Sequence, residues 1–316
     1  MTSNIENKTA PSPAIHWKNA TDSLVKRLRH PAVYCFASVW GAAALYLLAA
    51  GHAVNVVFGM ILLLGISVFM MITRRITPDP SEEAEMRPSM WRLGAQFSLI
   101  LAVIGLTGYG SLRWVGNGEL GWIPMWSPLM QSIGSWGSRF LTVEMVGDPV
   151  LSVVNPVRYA LIPLFGLLLL GVAPRYLGIR TGQSTWWVVL LWCGIGLLLW
   201  AVQLFSGQIA LNTIRRILTA NLLQNGFAEE FLFRGALQTR LNLVLATPWV
   251  VVIQALIFAV WHLGAGARLM DGDILLGVAA NIVAIGPFGL AYGYIFHRTR
   301  NLMACSLIHA GLNSMF

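Results

Sequence analysis

The chain has 316 residues, 56% of them hydrophobic and only 11% charged, with a mean hydropathy of +0.67 and a net charge of +8. A soluble domain carries roughly 25% charged residues, so this composition excludes an ordinary soluble enzyme and points to a multi-pass membrane protein. No basic stretch is interleaved with aromatics, so the positive charge reads as helix flanks and no nucleic-acid partner is expected.

Apolar runs of about 20 residues recur, the length that crosses ~30 Å of hydrocarbon. They lack the period-two alternation of a barrel, so the fold class is all-α, a polytopic transmembrane bundle of about 8–9 helices. Residues 1–30 are polar, do not resemble a cleavable signal, and read as a disordered cytosolic tail whose Lys18, Lys26, Arg27 and Arg29 can rest on anionic headgroups. Residues 31–205 read as scaffold helices and 206–316 as the catalytic core. The first two helices are expected near 32–50 and 54–73, joined by Gly51-His52. Arg74 and Arg75 close that hairpin, and Pro78, Pro80, Glu82, Glu83 and Glu85 mark a loop.

A third helix is expected near 93–112. The stretch 113–156, with Trp114, Trp122, Trp126 and Trp136, reads as a loop plus a segment lying at the interface. A substrate lid is the alternative for this stretch. Helices follow near 157–173 and 185–205, and 208–222 alternates apolar and polar residues as an interfacial amphipathic helix does. The remaining helices fall near 222–245, stopped by Thr247-Pro248, then 249–265, 274–296 and 301–316. Asp271-Gly272-Asp273 reads as a polar loop. Cys35, Cys193 and Cys305 lie in apolar segments without a CxxC pair and read as buried, inert thiols.

The chemistry gathers in the last third. Glu229, Glu230 and Arg234 interrupt an apolar helix, and ionisable groups at membrane depth are costly enough to mark function by default. Glu230 and Arg234 are four apart and share a face, which reduces the cost of burying both. Glu229 lies about 100° round the helix and lacks that partner, so it is free to take and give a proton as a general base must. His262 follows Phe258 by one turn on the next helix. His309 and Asn313, again four apart, offer a donor pair suited to a developing oxyanion. A lone Asn281 reads as an interhelical hydrogen bond, and His297 as an interfacial residue.

These motifs in this order resemble the CPBP family, the CaaX prenyl endopeptidases and bacteriocin-processing (Abi) intramembrane proteases. The resemblance rests on Glu229-Glu230-x-x-x-Arg234, Phe258-x-x-x-His262, the Gly289-x-x-x-Gly293 stretch before Thr299, and His309-x-x-x-Asn313. It implies an intramembrane glutamate-dependent endopeptidase in which Glu229 and His262 activate water and His309 and Asn313 hold the oxyanion. Glu230 would brace Arg234, and Arg234 would orient the site or meet a substrate carboxylate. Two histidines and a glutamate can hold zinc, but no His-Glu-x-x-His is present and direct water activation is favoured, so no cofactor is expected.

Neither a Gly-x-Ser-x-Gly motif nor the paired repeats of a transporter is visible. A catalytically idle scaffold or immunity factor of the same family is the alternative. The expected partners are a membrane protein or peptide substrate and the bilayer, and the expected location is a cell membrane, as in a bacterial inner membrane. The basic residues of the tail and of the 74–92 loop place the N-terminus in the cytosol. Arg240, Arg298 and Arg300 then fall on the cytosolic side, with the site toward the outer half. That placement favours an exported or membrane-anchored substrate.

Overall fold

The computed structural model describes residues 29–79, 88–115, 120–179 and 184–315. The tail to residue 28 and Pro80, Glu82, Glu83 and Glu85 lie outside the described residues. No strand occurs among the described residues, and the all-helical expectation holds.

The chain enters α1 (Pro31–Ala49) with His30 capping its start: the His30 Nδ1 accepts from the Ala32 amide at 3.2 Å, ahead of a proline that needs no partner in the first turn. Next come α2 (Ala53–Ile76), α3 (Met90–Ser111), the short α4 (Trp126–Gly137) and α5 (Pro149–Leu169). The helix α6 spans Thr185–Phe205, and α7 runs without a break over 211–241. A bent pair follows, α8 (Thr247–Trp261) and α9 (Leu263–Leu269), then α10 (Ile274–Thr299) and α11 (Leu302–Met315).

Six of these helices are long and apolar enough to span a membrane, or seven if the bent pair counts as one. That is fewer than the eight or nine expected, chiefly because α11 is too short and α7 too polar to count as spans. In α7 the reason is physical. Every residue from Ala228 to Leu241 is buried within the protein, so this helix carries polar groups that no lipid-facing helix would.

Three boundaries differ from the sequence reading. Within the stretch 113–156 a helix, α4, stands beside the loop, and α5 begins not near 157 but at Pro149, where Asp148 Oδ1 accepts from the Leu151 amide at 2.9 Å. The amphipathic segment near 208–222 is not separate but forms the first turns of α7. Thr247-Pro248 does not stop α7, which has already ended at Leu241; it opens α8, where proline is favoured at the first turn.

One end of the bundle is tied by buried arginines. Arg298 donates to Thr77 Oγ1 at 2.9 Å, to the Thr77 carbonyl and to Asp79, joining the ends of α10 and α2. Arg240 reaches Gln96 Oε1 at 3.3 Å, and Gln96 Nε2 reaches the Leu170 carbonyl at 3.2 Å, bringing α7, α3 and α5 together. Arg240 is therefore a fully buried internal brace.

At the centre, α10 packs against α1, α2, α8 and α9, while α11 packs against α6 and α7. The approach of α10 to α8 depends on Gly289. A Cβ there would lie 2.9 Å from the Ala255 Cα, an atom that cannot move without its helix. Substituting Gly289→Ala should therefore destabilise the protein by about 1–3 kcal/mol through overpacking. Gly41→Ala, where a Cβ meets nothing within 4 Å, should match the wild type or gain up to about 1 kcal/mol. Thermal unfolding of both in detergent checks the contrast, and equal midpoints would contradict it.

Candidate active site

Glu229 and Glu230 occupy a single α-helical turn between two wider π-helical stretches of α7, Leu222–Gly226 and Phe231–Gln238. Such widened turns recur at functional sites because they re-aim side chains without breaking the helix. The two glutamates then part company. Glu230, fully buried, accepts from Arg234 Nη1 at 3.0 Å and from His309 Nδ1 at 2.7 Å, both on the same oxygen, Oε1. Glu229 pairs with neither Arg234 nor a backbone amide. Its Oε2 faces His262 Nε2 at 3.5 Å and His309 Nε2 at 3.9 Å.

His262 stands where α8 ends and the chain turns by 51° into α9. Its backbone amide bonds to the Ala259 carbonyl at 3.3 Å, and the Phe258 carbonyl one residue earlier is met by the imidazole Nδ1 at 2.8 Å. A carbonyl can only accept, so Nδ1 carries the hydrogen and Nε2 is the nitrogen exposed to Glu229. By the same logic His309, donating from Nδ1 to Glu230, turns its Nε2 toward Glu229. The imidazole of His262 is about 20% exposed, which makes it the most open member of the cluster.

Aromatic rings enclose the polar atoms. Tyr292 stacks on His309 with centroids 4.7 Å apart, and the Phe258 and Trp261 rings stand edge-on to His262 at 4.7 and 4.9 Å. Arg234 lies over the Phe258 ring at 4.5 Å and the Tyr292 ring at 5.2 Å. It also donates to the Gly289 carbonyl at 3.3 Å and has no exposed surface. So enclosed, Arg234 is not placed to meet a substrate carboxylate; of the two roles that the resemblance implied for it, orienting the site is the one that fits.

The structure thus gathers Glu229, Glu230, Arg234, Phe258, His262 and His309 into one cluster. Asn313 stands apart: it is exposed one turn beyond His309 and makes no hydrogen bond to the cluster. The buried Asn281 makes no interhelical bond through Nδ2, so the expectation for it fails.

Two residues escaped the sequence reading. Gln238 Nε2 donates to the Gly293 carbonyl at 2.8 Å, and Gln254 Nε2 donates to the Gly289 carbonyl at 2.7 Å. A signal for them existed: Gln238 continues Glu230 and Arg234 by one more step of four, and Gln254 precedes Phe258 and His262 by the same step. No group of three or more His, Cys, Asp or Glu side chains among the described residues is arranged to hold a metal ion.

The comparison with known families falls on this region. Residues 210–315 match the family model described as Type II CAAX prenyl endopeptidase Rce1-like. The match covers α7 to α11, and with them every residue of the cluster. No curated protein and no solved structure matches the chain. The resemblance read from the motifs is thereby supported by an independent comparison, and with the apolar helices it supports a multi-pass CAAX-type intramembrane protease.

The pairing separates the two glutamates in stability. Arg234→Ala strands Glu230 in a dry interior, and removing one partner of a buried pair costs roughly 3–5 kcal/mol. Glu229→Ala removes a carboxylate whose Oε2 has no hydrogen-bond partner and should leave the melting temperature close to that of the wild type. Thermal unfolding in detergent that shows equal losses for the two variants would refute this division.

Proposed function

We propose that the protein is a metal-independent peptide hydrolase in which Glu229 and His262 activate water against a peptide carbonyl at membrane depth. The observation that carries this reading is the convergence of two imidazole Nε2 atoms, from His262 and His309, on one unpaired Glu229 oxygen. A water lodged there gives a proton to the Glu229–His262 pair as its oxygen bonds to the carbonyl carbon. The same proton then passes to the leaving nitrogen as the C–N bond breaks, which balances the hydrolysis.

His309 stabilises the oxyanion. With Nδ1 committed to Glu230, donation from Nε2 requires the imidazolium, and the Glu230 carboxylate supplies its counter-charge. Asn313, free of other partners, closes over the oxyanion once substrate fills the mouth. Arg234 and the enclosing rings hold Glu230 in place.

Two features support a substrate embedded in the bilayer. An apolar cavity of about 490 Å³ opens between α3 and α8, lined by Ile104, Leu112, Leu256, Val260 and Trp261. Trp261, part of its lining, stands edge-on to His262 at 4.9 Å. The basic end of the bundle, with Arg74, Arg75, Arg175, Arg298 and Arg300, faces the cytosol under the positive-inside rule. His262 lies at the opposite end of α8, so the site opens toward the outer half and takes an exported or membrane-anchored polypeptide.

Glu229→Gln should abolish cleavage while preserving fold and insertion, and His262→Ala should be comparably severe. Asn313→Ala should lose on the order of 10²–10³ in turnover. Chelators should leave the wild-type rate unchanged. Comparing membrane-protein termini in cells carrying wild type or Glu229→Gln tests the assignment; identical termini would refute it, and loss of activity on chelation would refute the metal-free mechanism.

Orientation is checked separately on a Cys35→Ser background. A membrane-impermeant thiol reagent applied to intact cells should label Ser206→Cys and Leu269→Cys, and should label Arg175→Cys only after permeabilisation. The reverse pattern would place the site on the cytosolic side.

A further inference from the structure

One charged side chain beside the site has no acidic partner. Arg158 lies in α5, nine residues from its outer end at Pro149, or about 14 Å along the axis at about 1.5 Å per residue. That depth approaches the middle of a ~30 Å hydrocarbon layer, where an unpaired cation is expensive and marks a functional position. The chain has built a position for it. Pro156 lacks an amide hydrogen, and the backbone widens immediately afterwards into a π-helical turn over Val157–Leu161.

That turn packs directly against Phe227–Glu230, the turn of α7 that carries both glutamates. Arg158 Nη2 donates to Asn155 Oδ1 at 2.6 Å, and Asn155 Nδ2 donates to the Gln224 carbonyl of α7 at 2.6 Å. The guanidinium is therefore fixed to α7 about one turn on the outer side of Glu229. It lies over the Tyr159 ring at 4.4 Å, Tyr159 stands edge-on to Trp261 at 5.0 Å, and Trp261 in turn meets His262. Its Nε is buried and has no hydrogen-bond partner. No carboxylate pairs with Arg158 among the described residues.

We propose that Arg158 is a specificity-determining residue: an anion subsite that receives a carboxylate of the substrate on the outer side of the scissile bond. A guanidinium whose Nη2 is tied to Asn155 and whose Nε has no partner retains donors for a charge-assisted contact with a carboxylate. Arg234, sealed beneath its aromatic rings, is not available for that task. A phosphate on a lipid headgroup offers the same chemistry, and the experiment separates the two sources. The inference deepens the hydrolase reading by naming a recognition element of the same site. Its test is a binding measurement and does not depend on turnover.

The protein is placed in nanodiscs of phosphatidylcholine alone, and binding of N-octanoyl-leucine is compared with that of the uncharged N-octanoyl-leucinamide by thermal shift and ligand-observed NMR. The carboxylate should bind wild type and Glu229→Gln at least about tenfold more tightly than the amide, as a charge-assisted contact does. Arg158→Gln should abolish the preference. Asn155→Ala, which frees the guanidinium, should weaken it, and Arg158→Lys should retain part of it. Should Arg158→Gln fail to fold, the last two variants still decide the question.

Equal affinity for acid and amide in the wild type, or a preference that survives Arg158→Gln, would overturn the proposal. Stabilisation by phosphatidylglycerol that depends on Arg158, without any preference for the carboxylate probe, would overturn it in favour of a lipid headgroup site. An inactive enzyme that still shows the Arg158-dependent preference would refute the hydrolase reading and leave this inference standing.

Discussion

The rest of the site depends on the Glu230 carboxylate. A single oxygen of it receives Arg234 from its own helix and His309 from α11, and Arg234 passes the connection on to the Gly289 carbonyl of α10. Three helices are thereby registered by one fully buried anion. An isolated carboxylate in such a place costs several kcal/mol or more, so the arrangement holds only when every partner is present. Because Glu230 takes the arginine, Glu229 is left to the two imidazole faces. Adjacent residues of one type acquire opposite duties through one difference in pairing.

Around this anion the protein has built a dry shell whose polar groups are supplied by backbone. Gly289 and Gly293 are bare on the face of α10 that meets α7 and α8. Their carbonyls accept from Arg234, Gln254 and Gln238 at contact distance. Close packing here is a means of delivering acceptors to buried donors, as well as of bringing helices together. The aromatic rings fill the remaining space and exclude water. In such a medium each charge-assisted contact gains strength, and any unpaired group becomes costlier.

Much of this was legible in the residues. Hydrophobic runs gave the helices, and steps of four along Glu230–Arg234 and Phe258–His262 gave faces that do converge. What periodicity could not carry was enclosure. Arg240 and Arg298 read in sequence as charges on the cytosolic side of the bundle, yet each is buried and bonded, because neighbouring helices cover what a linear reading leaves at an edge. Thr247-Pro248 was read as a stop where it is a start, because proline fits the first turn of a helix as readily as it ends one. Asn313 shares a spacing with His309 but not its burial: along α11 one turn separates core from surface. Arg158 gave no signal, since it belongs to no motif and its meaning lies in what fails to pair with it.

The bend at His262 has a consequence for where protons can go. With its amide turned to Ala259 and its Nδ1 hydrogen held by the Phe258 carbonyl, the ring has one working nitrogen and no exit on its far side. A carbonyl cannot carry a proton onward, so whatever His262 Nε2 acquires must return through the face on which it arrived. A ring bonded at Nδ1 to water or a carboxylate could discharge into the surroundings; this one is a dead end. Under the hydrolysis proposed above, turnover is closed with respect to protons: the hydrogen removed from water is the one delivered to the departing nitrogen. A hydrolase buried among apolar helices can in this way operate without a wire to bulk solvent.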